Sequence, residues 1–257
     1  MKIHFLGTCA GTEPMPDRKH ASVAVEAEGR IYWFDAGEGC SYTGHLMGLD
    51  LLKVGKIIIS HAHMDHVGGL GNLLWNIRKL TFERRKQPEQ GEVVVYTPNM
   101  DSWNGLLQML RNTEQNFQTK YPVYAVQVEA GELFDDGIIK VTAFPNTHLV
   151  EWQQDRCLSY SYLIECDGKK LVYSGDVGSY DDLNEAIGKG CDGLIIETGH
   201  FGIDEVQQYV SGKNIRKIFF SHNGREIISN PEASREKVKN YFGNKGFICE
   251  DGMTIEL

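Results

Sequence analysis

His61-Ala62-His63-Met64-Asp65-His66 places three imidazoles and one carboxylate in a single short stretch of sequence. It follows the apolar run Ile57-Ile58-Ile59-Ser60, which is typical of a buried strand. At this chain's own His and Asp frequencies, the pattern H-x-H-x-D-H would arise by chance in about six of ten thousand such chains. Imidazole nitrogen and carboxylate oxygen are zinc ligands. The stretch therefore predicts a metal site, and the alternative is a solvated His-rich turn.

The spacing within the stretch favours two ions. His61 and His63 alternate by two, so an extended or turning backbone can aim both at one ion, whereas a tight turn can aim Asp65 and His66 at a second. These residues cannot complete two sites, and further ligands are expected at the ends of later strands. The candidates, each just after a predicted strand, are His148, Asp176 and His222. Taken singly, either histidine could be a satisfied surface or core residue, but beside the cluster all three are predicted ligands.

Composition limits the class of protein. The chain has 257 residues, of which 41% are hydrophobic, and a net charge of -9. This charge argues against a large nucleic-acid surface, which needs clustered Lys and Arg. It does not exclude a small anionic substrate, because bound metal ions bring positive charge. The six scattered cysteines form no C-x-x-C pair and are predicted to be reduced and mostly buried. With no signal-like N-terminus and no apolar run long enough to span a membrane, a cytoplasmic protein is expected.

Hydrophobic periodicity predicts one α/β domain over residues 1–257, with strands enough for two packed sheets and helices outside them. Strands are predicted over Lys2–Thr8, Ser22–Ala27, Arg30–Asp35, Gly55–Ser60, Glu92–Tyr96, Pro122–Val128, Ile138–Phe144, Leu158–Cys166, Lys170–Tyr173, Gly193–Glu197 and Arg216–Phe220, with further short strands at the C-terminal end. Helices are predicted over Glu38–Met47, Gly69–Leu80, Ser102–Arg111, Asp181–Ile187, Asp204–Tyr209 and Pro231–Tyr241.

The order H-x-H-x-D-H, a lone His, Ser-Gly-Asp and Ser-His resembles the metallo-β-lactamase superfamily of binuclear metal hydrolases. Phe5-Leu6-Gly7-Thr8-Cys9-Ala10-Gly11 and Phe34-Asp35-Ala36-Gly37-Glu38-Gly39 resemble its ribonuclease Z-like branch. The resemblance runs from Lys2 to about Asn223. It implies a four-layer αββα sandwich, an α/β (α+β) fold, with the metals at one edge of the two sheets.

The resemblance also implies roles for the ligands. His61, His63 and His148 would hold the first ion, Asp65, His66 and His222 the second, and Asp176 would bridge them. Such paired ions typically lie about 3.5–4 Å apart, and a bridging hydroxide is the expected nucleophile. Zinc is the expected metal, with manganese and iron as alternatives. Asp65 would be essential for turnover.

Residues around the ligands are open to more than one interpretation. Asp35 either orients a ligand histidine or caps a helix, and Ser60 and Ser221 are expected to support loop geometry. In the ribonuclease Z-like branch, a Glu at the position of Glu197 pairs with a later catalytic His. That later motif is missing here, so His200 is either the general acid for the leaving group or a substrate-binding or structural residue.

Basic and aromatic residues near the site are predicted with less specificity. Arg18 and His20 resemble the family's early Arg-containing loop, and Arg225 follows the last ligand, so each is a candidate contact for an anionic group. The run Arg78, Lys79, Arg84, Arg85 and Lys86 is predicted to be a solvated face. Trp103 and Trp152 either wall a pocket or pack in the core.

The substrate hypotheses follow from a departure from the family. Ribonuclease Z enzymes carry a long transfer-RNA-binding arm between the lone His and Ser-Gly-Asp, but only residues 149–175 separate His148 from Asp176 here. Nucleic acid is therefore not the expected partner. The leading hypothesis is hydrolysis of a small phosphodiester such as a cyclic nucleotide. The alternatives are a lactone or thioester hydrolase, a tRNA 3'-processing endoribonuclease and a non-catalytic metal-binding sensor. The resemblance suggests a homodimer.

Overall fold

Two seven-stranded sheets form the framework of the computed structural model, which describes residues 1–12, 15–149 and 156–257. The first sheet has the order β14-β1-β2-β3-β4-β5-β6. Its strands are β1 (Lys2–Gly7), β2 (Ser22–Ala27), β3 (Arg30–Phe34), β4 (Val54–Ile58), β5 (Val93–Thr97), β6 (Val123–Gln127) and β14 (Thr254–Glu256). Strands β3 to β6 are parallel neighbours, so their carboxyl ends lie at one edge.

The second sheet has the order β13-β12-β11-β10-β9-β8-β7. Its strands are β7 (Gly131–Asp135), β8 (Lys140–Pro145), β9 (Tyr160–Cys166), β10 (Lys169–Tyr173), β11 (Cys191–Thr198), β12 (Ile215–Asn223) and β13 (Gly246–Ile248). Strands β10 to β13 are parallel, and residues that follow β10 and β11 therefore emerge at a common edge with the end of β12.

Helices cover the outer face of each sheet. They are α1 (Cys40–Leu46), α2 (Met64–Val67), α3 (Leu70–Arg84), α4 (Met100–Arg111), α5 (Asn184–Ile187), α6 (Ile203–Val210), α7 (Arg225–Ser229) and α8 (Pro231–Phe242). Short 3₁₀ turns lie at Leu51–Lys53, Glu114–Phe117, Tyr180–Leu183 and Gly243–Lys245. Among the described helices, none combines the length and apolar character needed to cross a membrane.

Alternating side chains explain the layers. In β3, Tyr32 and Phe34 lie in the core between the two sheets, whereas Ile31 and Trp33 lie in a second core beneath α1, α3 and α4. A third core lies between the second sheet and α5, α6 and α8. Strands that are buried on both faces read as continuous apolar runs, which is why their sequence predicted them. The predicted αββα sandwich is confirmed.

Several local predictions differ from the structure. Strand β7 and helices α2 and α7 were not predicted, and Asp181–Ile187 is a 3₁₀ turn followed by α5. The prediction of a solvated basic face is wrong for Arg78, which is buried and donates to the carbonyls of Gln118 and Glu114. All six cysteines lie in the described part of the chain and have free thiols, as predicted. Trp152 lies outside the described residues.

Candidate metal centre

The ligand loop, residues 59–66, follows β4, includes the start of α2 and lies at the edge where the two sheets meet. Ile59 extends the first sheet by donating to the Tyr96 carbonyl, and Tyr160 of the second sheet donates to the Ser60 carbonyl. His61 and His66 are buried, whereas His63 is exposed. The loop therefore presents imidazoles both inside the fold and at its surface.

The first predicted ligand set forms one cluster. His61, His63, His148 and Asp176 each offer a ligand atom, and these atoms lie within 4.8 Å of one another. Nε2 of His61 and Nε2 of His148 are each 3.8 Å from Oδ2 of Asp176. Nε2 of His148 is 3.3 Å from Nδ1 of His63. Three imidazoles thus converge on one side of the Asp176 carboxylate.

The second predicted set forms a cluster around the other oxygen of the same carboxylate. Asp65, His66, Asp176 and His222 also have ligand atoms within 4.8 Å of one another. Nε2 of His66 and Nε2 of His222 are each 3.3 Å from Oδ1 of Asp176. The two nitrogens lie 3.4 and 3.1 Å from Oδ2 of Asp65. Asp176 therefore faces one cluster with each oxygen, which is the position expected of a bridging ligand.

The buried polar atoms of these clusters fit a cation. Nε2 of His61, Nε2 of His66 and Oδ1 of Asp176 are buried and have no hydrogen-bond partner among the described residues. Buried polar atoms in folded proteins are almost always satisfied. Imidazole and carboxylate ligands at this density match the donor set of zinc and related divalent ions.

The electrostatics of the clusters also favour positive charge. Burial would raise the pKa of Asp65, but hydrogen bonds with His222 and His66 outweigh burial and lower it. Burial opposes protonation of His222, yet the carboxylates of Asp176 and Asp65 outweigh it and raise the pKa of His222 to about 10. The carboxylates thus stabilise positive charge between them, which either an imidazolium or a bound cation can provide.

Asp35 connects the ligand loop to both sheets. Its buried carboxylate accepts hydrogen bonds, all of 2.7 Å, from Nδ1 of His66, from the amide and hydroxyl of Ser60, and from the hydroxyl of Tyr173. The N-cap of α1 is Gly39 rather than Asp35. Tyr173 was not predicted as a site residue; its position directly before Ser174-Gly175-Asp176 was the available signal.

The backbone at two positions sets the direction of the ligands. Gly175 has φ of +56°, and a Cβ at this position would lie 2.8 Å from Cβ of Ser60. A residue with a side chain would therefore separate Asp176 from the ligand loop. His222 has φ of +49°, which is unusual for a residue other than glycine. Such backbone strain occurs at functional sites, where the surrounding structure over-determines it.

Glu197 and His200 lie beside the clusters at the end of β11. Oε1 and Oε2 of Glu197 are 3.0 and 3.1 Å from Nδ1 of His200, and the same carboxylate accepts from the amides of Val177, Gly199 and His200. The hydrogen bond with Glu197 raises the pKa of His200. The His200 side chain is 43% exposed, and its Nδ1 is 3.9 Å from Asp176. His200 therefore lies at the open side of the metal centre.

Arg18, His20 and Arg225, the three predicted substrate contacts, have different surroundings. Arg18 donates to Oγ1 of Thr8 at 2.7 Å and to the Cys249 carbonyl at 2.8 Å, which ties it to the C-terminal segment. Nε2 of His20 is 3.2 Å from the Thr12 carbonyl. Arg225 is exposed at the start of α7, directly after the loop that follows His222.

The family model of the beta-lactamase superfamily domain matches residues 34–224, which include all seven predicted ligands. The chain belongs to the beta-lactamase superfamily. Ribonuclease BN of Escherichia coli O1:K1 is 32% identical over 171 residues, which cover 64% of this chain and 50% of that protein. The chain thus spans about half the length of the curated relatives it matches.

Solved structures of the superfamily share the fold along the whole chain. Human short-form tRNase Z has a TM-score of 0.72 at 21% identity, covering 100% of this chain and 99% of that one. YhfI of Bacillus subtilis, a metallo-beta-lactamase fold protein, has a TM-score of 0.72 at 18% identity, covering 99% of each chain. A diphosphatase of the PhnP family has a TM-score of 0.67 at 17% identity, covering 100% of this chain and 97% of that one.

Membership of the superfamily confirms the predicted family. The chain has the metallo-beta-lactamase fold, and its His and Asp clusters are suited to hold divalent metal ions.

Proposed function

We propose that the protein is a binuclear hydrolase that binds two zinc ions and cleaves a small phosphodiester such as a cyclic nucleotide. We also propose that residues 1–257 form one domain. The observation that carries the proposed function is the Asp176 carboxylate, whose two oxygens face two separate sets of three further ligands. Two ions bound in this way supply Lewis acidity to a phosphoryl group and lower the pKa of water toward neutrality.

Residues of the chain orient the predicted ligands and can supply a proton to the leaving group. Asp35 holds Nδ1 of His66 and so directs Nε2 of that ring toward Asp65 and Asp176. Glu197 holds Nδ1 of His200 in the same manner, which leaves Nε2 as the ring nitrogen that can donate to a substrate. A protonated His200 can donate to the oxygen of a departing alcohol. Asp65 and the other ligands hold the ions.

Three observations favour a compact phosphate ester. Two proteins with a similar fold are a diphosphatase of the PhnP family and human short-form tRNase Z. The interval between His148 and Asp176 is short, with β9 and β10 inside it. The net charge of -9 disfavours extended phosphate contacts.

RNA cleavage is the second candidate, and the 32% identity with Ribonuclease BN is the observation in its favour. A long RNA would need a basic surface for its phosphates beyond the metal centre. A cyclic nucleotide needs only the centre and its surroundings. The two candidates therefore differ in salt dependence as well as in substrate length.

A substrate panel with metal-loaded protein tests the proposal. The panel contains bis-p-nitrophenyl phosphate, 2',3'- and 3',5'-cyclic nucleotides, a lactone, a thioester and a precursor tRNA, with Asp65→Ala as the inactive variant and His45→Ala as a surface control on α1. We expect turnover of the small diesters, retained by His45→Ala and lost in Asp65→Ala. Turnover of the lactone, the thioester or the tRNA alone would replace the proposal with that activity. No turnover by protein that binds two metal ions would favour a sensor.

A further inference from the structure

A cavity of about 370 Å³ lies between the ligand loop, α3 and α4. Its size is within the range of small-molecule pockets, which is about 300–1,000 Å³. Apolar side chains form most of its wall: Met64, Leu70, Val95, Trp103, Leu106 and Met109. None of the predicted ligands is among the residues that line it, so the cavity is separate from the two clusters.

The cavity nevertheless borders the part of the ligand loop that carries His63. Ala62 and Met64 line the cavity, and they are the two neighbours of His63 in the chain. His63 is the exposed member of the first cluster. The ring centroids of His63 and His148 are 5.1 Å apart, and those of His148 and His200 are 4.8 Å apart. The rings of His200, His148 and His63 therefore follow one another across the centre, and the cavity lies beside the chain neighbours of His63.

The side chains at the mouth of the cavity favour an aromatic occupant. Met64 is 73% exposed and Met109 is 60% exposed, whereas Trp103 is buried in the wall. Methionine sulfur makes favourable contacts with aromatic rings and adapts to their shape. Exposed apolar side chains grouped beside a polar centre are typical of ligand-binding sites.

Gly105 keeps one side of the cavity open. It lies inside α4 and lines the cavity, and a Cβ at this position would meet no atom within 4 Å. Glycine is an unfavourable residue inside a helix, and neither its dihedral angle nor a steric neighbour requires it here. Its absent side chain leaves space for a ligand.

We infer that this cavity binds an aromatic ester group of the substrate, the one retained on phosphorus after hydrolysis, while the leaving group lies at the His200 end of the centre. The inference rests on the proposed phosphodiesterase function and specifies its substrate as an aryl-substituted diester. Hydrolysis adds water to phosphorus and breaks the bond to the leaving oxygen, which departs with the electron pair and takes a proton, so the aryl phosphate monoester remains.

Two synthetic diesters test the inference: phenyl p-nitrophenyl phosphate and methyl p-nitrophenyl phosphate. We expect metal-loaded wild-type protein to prefer the phenyl ester in kcat/KM by roughly tenfold or more. Gly105→Phe should fill the cavity and remove most of this preference while leaving the methyl ester within about twofold. Gly105→Ala is the matched control and should keep the preference. An unchanged preference in Gly105→Phe, or an equal loss for both esters, would overturn the inference.

A binding measurement separates this inference from the proposed function. Calorimetric titration with phenylphosphonate and methylphosphonate should give tighter binding of the phenyl compound to wild type and Gly105→Ala, but not to Gly105→Phe. Such binding without cleavage of any diester would sustain the aromatic site and refute the phosphodiesterase. Diester cleavage with equal binding of the two phosphonates would refute the aromatic site alone. A wild-type dimer that Gly105→Phe converts to a monomer would identify the cavity as an interface and overturn the inference.

Discussion

Nδ1 of His66 donates a hydrogen bond of 2.7 Å to the carboxylate of Asp35, and Nε2 of the same ring lies 3.3 Å from Asp176. Asp35 thus fixes the tautomer and the direction of a predicted ligand from outside the cluster. Carboxylate partners of ligand histidines are known to raise ligand basicity and metal affinity. Asp35 reaches β10 of the opposite sheet as well, through the hydroxyl of Tyr173.

Replacement of Asp35 should weaken metal binding without removing a ligand. Ser60, His66 and Tyr173 all donate hydrogen bonds to the Asp35 carboxylate. In Asp35→Asn, one carboxylate oxygen is replaced by an NH2 group, which is itself a donor and cannot accept these hydrogen bonds. We expect metal affinity to fall by about 10- to 100-fold, measured by competition with a chelator. Asp192→Asn, half-buried at the start of β11 and paired with Arg216 rather than with a predicted ligand, is the control and should bind metal as wild type does. Equal affinity in the two variants would refute the positioning role of Asp35.

Removal of the shared carboxylate should affect both ions, whereas removal of one imidazole should affect one. We expect Asp176→Ala to retain little of either ion, because it belongs to both clusters. His63→Ala should lose mainly the first ion, since His63 belongs to the first cluster only. Metal content by mass spectrometry after desalting gives the stoichiometry. A full complement of two ions in Asp176→Ala would contradict the bridging assignment.

The proton-donor role of His200 predicts a dependence on the leaving group. For diesters with alkoxide leaving groups, His200→Ala should lower kcat by about 10²- to 10⁴-fold. For p-nitrophenyl esters, whose leaving group needs no proton, the loss should be much smaller. Glu197→Gln should follow the same pattern more weakly, because Glu197 orients His200 and does not itself donate the proton. If both ester types lose activity equally, His200 acts in binding or structure instead.

Asp136 predicts a pH-dependent contribution to stability far from the metal centre. It lies between β7 and β8 of the second sheet and accepts hydrogen bonds from Lys56 and Tyr32 of the first sheet. Burial would raise the pKa of Asp136, but the hydrogen bond from Lys56 and the amide of Ile139 outweigh it and lower this pKa below 3.8. A lowered carboxyl pKa stabilises the fold above the unfolded value and loses that contribution as the pH falls through the folded value.

We therefore expect Asp136→Asn to lower the free energy of unfolding by about 1–3 kcal/mol at neutral pH. The difference from wild type should decrease as the pH falls below 3.8. Urea denaturation at several pH values measures it, and Asp135→Asn, at the exposed neighbouring position, is the control. A difference that stays constant down to acid pH would show that the ion pair is not its source.

Strand ends, more than any single motif, made the site predictable from sequence. His148, Asp176 and His222 could be placed beside the ligand loop because each follows or ends an apolar strand, and parallel strands present their carboxyl ends at one edge. The prediction of seven candidate ligands required no knowledge of side-chain packing. The contact between Asp35 and Tyr173 did require it, since it depends on how the two sheets face each other.

Non-local contacts account for the predictions that differ. Arg78 is a charged residue of a helix that its apolar residues predicted, and its burial depends on the carbonyls of Glu114 and Gln118, which follow α4 in the chain. Strand β7 has exposed and charged positions typical of a sheet edge, so it lacks the apolar run that marked the central strands. Sequence patterns report local periodicity, and neither feature is local.

Each metal cluster takes ligands from both halves of the sandwich. His61, His63, Asp65 and His66 follow β4 of the first sheet, whereas His148, Asp176 and His222 come from the second. An ion bound in either cluster is therefore a non-covalent cross-link between two layers that otherwise meet mainly through apolar packing. Since ligands that bind only the native state stabilise it, metal binding at these clusters would also stabilise the folded state. Loss of metal would therefore weaken the contact between the two sheets as well as remove the proposed activity.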